Sequence, residues 1–159
     1  MSLVRVLVVG ALSTLSMDVL TGVALRLRIV APLAPQLMGR WFASVARARP
    51  IHADIASSPA LHHELAIALP VHYAIGVVLT SFYLWGMHQL RWSPRSLAFA
   101  LVFGLCTNVL PWLLMFPAMG YGVFGTHGPA GTRLFVSSLL SHAFFGVGIW
   151  IGVRIAGLS

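Results

Sequence analysis

Four long apolar segments are the feature that most limits how this chain can fold. They lie at about residues 4–25, 65–86, 97–118 and 134–156. Each is close to the ~20 apolar residues that a helix needs to cross a membrane. Only 8% of the 159 residues are charged, whereas a soluble domain has roughly 25%. The sequence therefore predicts an all-α, polytopic membrane protein with a single transmembrane domain over residues 1–159.

The first linker is too long for a simple turn and predicts a further helix at about residues 36–48. One face of this helix would carry Leu37, Met38, Trp41, Phe42 and Val45, and the other would carry Arg40, Ser44 and Arg47. Such a pattern is typical of an amphipathic helix that lies in the plane of the membrane interface. We therefore expect four transmembrane helices and one interfacial helix.

The charge of the chain is strongly basic, with a formal net charge of +7. In a chain this apolar, an arginine excess indicates membrane topology rather than a nucleic-acid partner. More arginines lie in or beside the first and third linkers than on the opposite side, which favours a cytoplasmic location for those linkers. The expected partners are the lipid bilayer and either further copies of the chain or a larger membrane complex.

A carboxylate interrupts the first apolar segment, LVVGALSTLSMDVLTGVAL, at Asp18. An ionisable side chain in hydrocarbon costs roughly 2.5–3.5 kcal/mol and by default indicates function. At 1.5 Å of rise per residue, Asp18, His72 and His142 all lie roughly 10–13 Å below the surface that carries the first and third linkers. Asn108 follows at roughly 15 Å. The sequence predicts that these side chains meet.

Two histidines and one carboxylate form a ligand set that suits Zn(II) or Fe(II). The predicted metal residues are Asp18, His72 and His142 in the inner shell, with His52, Asp54 and Glu64 at the mouth. Without a metal, the same groups would relay protons for transport or for membrane-embedded catalysis. Both versions stay open, as does the question of whether the protein is an enzyme.

Two alternatives use the same residues differently. In the first, His72 and His142 are the axial ligands of a b-type haem in an electron-transfer subunit, and Gly76 and Gly146 make room for the macrocycle. In the second, the protein is a structural or accessory subunit, and the polar layer only pairs helices. The candidates for holding an anionic substrate or lipid headgroup are Arg40, Arg133 and Asn108, since guanidinium matches phosphate bidentately.

Several segments also occur in a characteristic order. They are GRWFASVARARPIHADI, a Glu before HYAIGV, PWLLMFPAMGYG, and an Arg followed nine residues later by His in a helix containing GVGIW. In this order and spacing the chain resembles small bacterial four-helix membrane proteins catalogued only as a domain of unknown function. The resemblance covers nearly the whole chain and implies four helices in a bacterial inner membrane. It brings no activity with it.

The positions that match the pattern of that family are Asp18, Arg40, His52, Glu64, His72, Arg133 and His142. The loop before the last helix departs from the pattern. It is glycine-rich in this chain, as THGPAGTR, where the family has Asn and Pro.

Overall fold

The computed structural model describes residues 2–158, which form helices and loops without any β-strand. The helices are α1 (Leu3–Arg26), α2 (Pro35–Ala46), α3 (Glu64–Leu90), α4 (Leu97–Ala118) and α5 (Thr132–Ile155). All except α2 are long and apolar enough to cross a membrane. The prediction of an all-α chain with four long apolar helices is therefore confirmed, and α2 occupies the stretch for which a short amphipathic helix was predicted.

Local sequence explains where several helices begin and end. Ser2 caps α1 by accepting a hydrogen bond from the backbone N–H of Arg5, and Ser96 caps α4 through Phe99. Serine is preferred at this position because its hydroxyl satisfies an N–H that has no partner inside the helix. At its other end, α3 runs to Leu90 and stops at Arg91, whose φ of 56° is left-handed and cannot continue the helix.

The long helices alternate in direction, so the bundle has two different ends. The far end carries residue 2, the short turn at residues 91–96 and residues 156–158. The long-loop end carries residues 27–63, including α2, and residues 119–131. Helix α1 lies between α3 and α5, α4 packs on the other side of α5, and α2 packs on α3.

Glycines hold the helices close together in the far half of the bundle. The glycines at these crossings are Gly10, Gly76, Gly104, Gly146, Gly148 and Gly152. A Cβ at Gly148 would lie 2.6 Å from the Cα of Ser13 in α1. Such contacts are possible only where a side chain is absent, and small residues allow the same close approach between helices in membranes. Gly22, in the other half of α1, faces open space instead.

Helix α4 is interrupted midway, and two of its polar side chains bond to the backbone just before the interruption. Regular α-helix stops at Cys106, and a wider π-helical turn covers Pro111–Met115. A proline removes one backbone donor, so carbonyls of the preceding turn need other partners. The Asn108 side-chain amide donates to the carbonyl of Leu105 at 3.0 Å, and the Thr107 hydroxyl donates to the carbonyl of Gly104 at 2.6 Å. The same two carbonyls also accept backbone N–H groups, those of Asn108 and Thr107, so the side chains reinforce the turn before the break.

The glycine crossings predict a position-specific effect on stability. A Cβ at Gly146 would lie 2.5 Å from the carbonyl oxygen of Ala100, whereas one at Gly86 would meet no atom within 4 Å. We expect Gly146→Ala to destabilise the protein by about 1–3 kcal/mol because the backbones of α4 and α5 must separate. The matched change Gly86→Ala should be neutral or stabilise by up to about 1 kcal/mol. Unfolding midpoints in detergent measure both, and equal midpoints would contradict the role given to Gly146.

Candidate functional site

Asp18 of α1 and His72 of α3 form a hydrogen-bonded pair in the middle of the bundle. Oδ1 of Asp18 lies 3.0 Å from Nε2 of His72. When the carboxylate is ionised it can only accept, so the imidazole N–H donates. The side chains are partly open, at 38% exposure for Asp18 and 20% for His72. Each side chain of the pair is therefore hydrogen-bonded to the other and is still partly accessible from outside the protein.

The pair lies in the wall of a cavity of about 440 Å³. The cavity is bounded by α1, α3, the broken part of α4 and α5, and residues of the first linker and of α2 contribute Pro32, Leu33, Pro35 and Met38. Its volume falls in the ~300–1,000 Å³ range of small-molecule sites. Most of the lining is apolar, and its polar residues are Asp18, Thr21, His72, His142 and three serines of α5. This arrangement is typical of a binding pocket.

His142 of α5 lines the same cavity, but its ring bonds to α4 rather than to Asp18. Its Nδ1 lies 2.7 Å from the hydroxyl oxygen of Thr107. A hydroxyl has a single hydrogen, and Thr107 gives it to the carbonyl of Gly104, so Thr107 accepts from Nδ1–H of His142. Neutral His142 then has Nε2 as an acceptor, for which no protein donor exists among residues 2–158.

The structure brings together only part of the predicted metal shell. Asp18 and His72 are in contact, and His142 shares their cavity without touching either of them by a hydrogen bond. Throughout the described chain, no three His, Cys, Asp or Glu side chains cluster closely enough to hold one metal ion. Asp18, His72 and His142 thus do not form such a cluster among the described residues, and the metal site stays a prediction.

The glycines assigned to the haem alternative face neighbouring helices. A Cβ at Gly76 would collide with the Thr14 hydroxyl of α1, and one at Gly146 would collide with the backbone of Ala100 in α4. Both glycines therefore bring helices together and do not leave room for a macrocycle. His72 also has its Nε2 engaged with Asp18.

Arg40 and Glu64 form a second ion pair, at the junction of α2 and α3. Nε of Arg40 lies 2.6 Å from Oε1 of Glu64, and both side chains are largely buried, at 12% and 8% exposure. The guanidinium also donates to the carbonyls of Ile55, Ala56 and Ser58. Arg40, predicted for headgroup binding, and Glu64, predicted at a metal mouth, are thus fastened to each other and to the first linker.

His52 and Asp54 also serve the first linker. The ring of His52 lies between the hydroxyls of Ser44 and Ser58, at 2.9 and 3.2 Å. Asp54 accepts from the backbone N–H of Ala56 and from the hydroxyl of Ser57. The Ser57 hydrogen bond is the main reason why the pKa of the Asp54 carboxyl is lowered from its usual value. These two residues of the predicted mouth shape a loop.

The remaining predicted residues differ in their surroundings. Arg133 is exposed and donates to the carbonyl of Arg28, at 3.3 Å. Asn108 is fully buried, and its Oδ1 accepts from the Ser138 hydroxyl at 2.6 Å. Because Oδ1 of Asn108 binds α5 and its amide binds the break in α4, this residue joins helices and is not open to a headgroup.

Sequence reasoning missed two neighbours of the site. Thr107 orients His142, as described above, and Tyr73 places its ring 5.9 Å from that of His72, close to Asp18. Both lie next to residues that had been singled out, Asn108 and His72. Thr107 and Tyr73 carry ordinary residue types for a membrane helix, so only the three-dimensional contact distinguishes them.

One family model matches nearly the whole chain. A family model described as a protein of unknown function, DUF2938, matches residues 7–156. The chain belongs to this family. The sequence had suggested a resemblance to an uncharacterised family, and this match confirms it. No curated protein and no solved structure matches the chain.

The Arg40–Glu64 pair predicts a large loss of stability when one partner is removed. Arg40→Gln would leave a largely buried carboxylate without its cation, which costs about 3–5 kcal/mol in buried pairs. Arg47→Gln is the matched control, because Arg47 is exposed at the end of α2 and should change stability by less than about 0.5 kcal/mol. Unfolding midpoints in detergent compare the two variants. Equal shifts would mean that the buried pair does not hold α2 on α3.

Proposed function

We propose that this protein exchanges protons with a small ligand inside the membrane, through the Asp18–His72 pair. The single observation that carries the proposal is the 3.0 Å contact between these two side chains in the wall of the 440 Å³ cavity. Imidazole changes its charge close to neutral pH, and chains of Asp, Glu and His mark proton paths in membrane pumps and transporters. Binding and passage of a ligand through the cavity would be coupled to this exchange.

The position of the pair supports this function. Asp18 is eight residues from Arg26 at the end of α1, and His72 is eight residues from Glu64 at the start of α3, so each lies roughly 12 Å from the long-loop end. In a bilayer with a hydrocarbon core of ~30 Å, this depth is inside the membrane. A carboxylate would be retained there only for a purpose that offsets its cost.

Proton exchange explains the site better than the other predicted chemistries do. The metal hypothesis needs three converging ligands, and the haem hypothesis needs space beside Gly76 and Gly146 that other helices fill. Proton exchange needs only a titratable pair with access to a cavity, and these are the features that Asp18 and His72 have.

We further place the protein in a bacterial inner membrane, with α2 lying at the membrane interface. The arginines of the long-loop end would face the cytoplasm: Arg26, Arg28, Arg40, Arg47, Arg49 and Arg133. Only Arg5, Arg91, Arg95 and Arg154 lie toward the other end, and positive residues are in excess on the cytoplasmic side of membrane proteins. The cavity would then be nearer to the cytoplasm.

Protonation of Asp18 can be followed directly by infrared spectroscopy. Difference spectra between low and high pH should contain a carboxylic-acid C=O band that disappears in Asp18→Asn and changes frequency in His72→Gln, because the hydrogen-bond partner is lost. Asp54→Asn is the isosteric control, since Asp54 is exposed in the first linker and should leave this band unchanged. An identical band in the wild type and Asp18→Asn would mean that Asp18 does not exchange protons.

The orientation is tested by labelling single cysteines from one side. In a Cys106→Ser background, Ala60→Cys places a thiol in the exposed first linker, and Gln89→Cys places one near the far end. A membrane-impermeant maleimide added to spheroplasts should label Gln89→Cys only, and lysis should expose Ala60→Cys. The reverse pattern would place the long-loop end outside the cytoplasm.

A further inference from the structure

The lining of the cavity selects the charge of the ligand. We propose that the cavity binds an amphiphilic organic ammonium ion, with its cationic group at Asp18 and its apolar body against the rest of the wall, in exchange for a proton of the Asp18–His72 pair. This inference rests on the proposed function and names its substrate class. It concerns the same site but depends on separate observations.

The first observation is the charge of the lining. Among the described residues that line the cavity, the ionisable ones are Asp18, His72 and His142. With both imidazoles neutral and the carboxylate ionised, the cavity carries one negative charge, and no arginine contributes to its wall. Arg26 and Arg133 are the chain neighbours of the wall residues Leu25 and Leu134, and each lies roughly two turns or more along its helix from Asp18 or His142. A cation is therefore the ligand whose charge the cavity balances.

The groups that face Asp18 from the neighbouring helices do not change this balance. From α3 these are His72 and Tyr73, and from α5 the cavity receives Ser141 and His142. Tyrosine is neutral near pH 7. Only the histidines can compensate the carboxylate, and each does so by taking up a proton.

The second observation is an excess of hydrogen-bond acceptors. Several hydroxyl hydrogens in the wall are already donated, from Thr21 to Ser141, from Ser137 to Arg133 and from Ser138 to Asn108. Nε2 of neutral His142 remains an acceptor, and the Asp18 carboxylate, with its two oxygens, can accept more hydrogen bonds than those from His72 and the neighbouring Tyr73. An ammonium group has up to three donors and no acceptor, as the lysine side chain has. The lining thus matches an ammonium group in hydrogen bonding as well as in charge.

The third observation is the apolar remainder of the wall. Three methionines and one phenylalanine line it: Met17, Met38, Met115 and Phe116. Methionine adapts to ligands of different shape, and an aromatic ring attracts a cation. These residues favour an apolar, aromatic or alkyl body of variable shape attached to the ammonium group.

The exchange is balanced in charge and atoms. The protonated pair is neutral, as Asp18 carboxylate with imidazolium or as carboxylic acid with imidazole. When the ammonium ion enters, one proton leaves the pair to water, and the cavity remains neutral with the cation in place of the proton. No other bond is formed or broken.

Three naphthalene probes of nearly the same size test the proposal: 2-(1-naphthyl)ethylammonium, 2-(1-naphthyl)ethanol and 1-naphthylacetate. Binding to the full-length protein in detergent is measured by naphthalene fluorescence, with empty micelles as the blank. We expect the ammonium probe to bind at least roughly tenfold more tightly than the alcohol, and the acetate not to bind, because a hydrogen bond to a charged group is lost or reversed. The affinity for the ammonium probe should rise with pH, and its binding should release protons to a pH indicator.

Two variants test separately the negative charge of Asp18 and the volume of the cavity. Asp18→Asn should abolish the preference for the ammonium probe and the proton release, while Asp54→Asn leaves both unchanged. Gly22→Leu adds a side chain at a cavity position where a Cβ meets no atom within 4 Å. It should block binding of the probe and still retain the carboxylic-acid infrared band of Asp18. This second variant keeps the test informative if Asp18→Asn does not fold.

The outcomes distinguish the two levels of the proposal. If the ammonium and alcohol probes bind equally, or if the acetate binds best, the ammonium assignment is overturned, while the infrared band of Asp18 can still support proton exchange. If the ammonium probe binds without proton release and with an affinity that does not depend on pH, the coupling between ligand and proton is overturned.

Discussion

Close packing at glycines is the constraint on which the rest of the structure depends. In the far half of the bundle, backbone meets backbone at crossings such as Gly104 with Gly146 and Gly148 with Ser13. Helices pack this tightly only where side chains are absent. Among the four long helices these crossings end near mid-height, and in the other half Gly22 of α1 faces open space. The cavity exists because the helices converge at one end of the bundle and not at the other.

The long-loop end holds its elements together with polar side chains and with one further close glycine contact, between Gly39 of α2 and the backbone of Glu64. The Arg40–Glu64 pair fastens α2 to α3 and to the first linker, while Asn108 joins the interrupted α4 to α5. Buried ionic and polar groups are costly unless fully paired, and these side chains are paired. Asp18 and His72 differ, because they are paired with each other and yet partly open to the cavity. This difference separates the candidate site from the structural polar groups.

At the membrane depth proposed for Asp18, the charge of a carboxylate must be compensated, and this requirement connects the proposals made for the site. Compensation can come from a proton on Asp18, from a proton on His72 or from a cationic ligand in the cavity. Because these states are mutually exclusive, a change from one to another couples protons to ligand. When no ligand is bound, a proton shared by Asp18 and His72 compensates the charge. A cationic ligand must then compete with this proton for the carboxylate.

The sequence by itself determined the all-α class, the four long apolar helices and the polar depth at which Asp18 and His72 meet, because hydropathy and helical rise depend only on residue order. It could not determine which polar residues face each other, or which of them use their hydrogen bonds to hold the protein together. Rotation about each helix axis and the break in α4 decided that His142 binds Thr107 and that Arg40 binds Glu64. These pairings join residues on different helices, so they depend on how tightly neighbouring backbones approach, which only the tertiary structure sets.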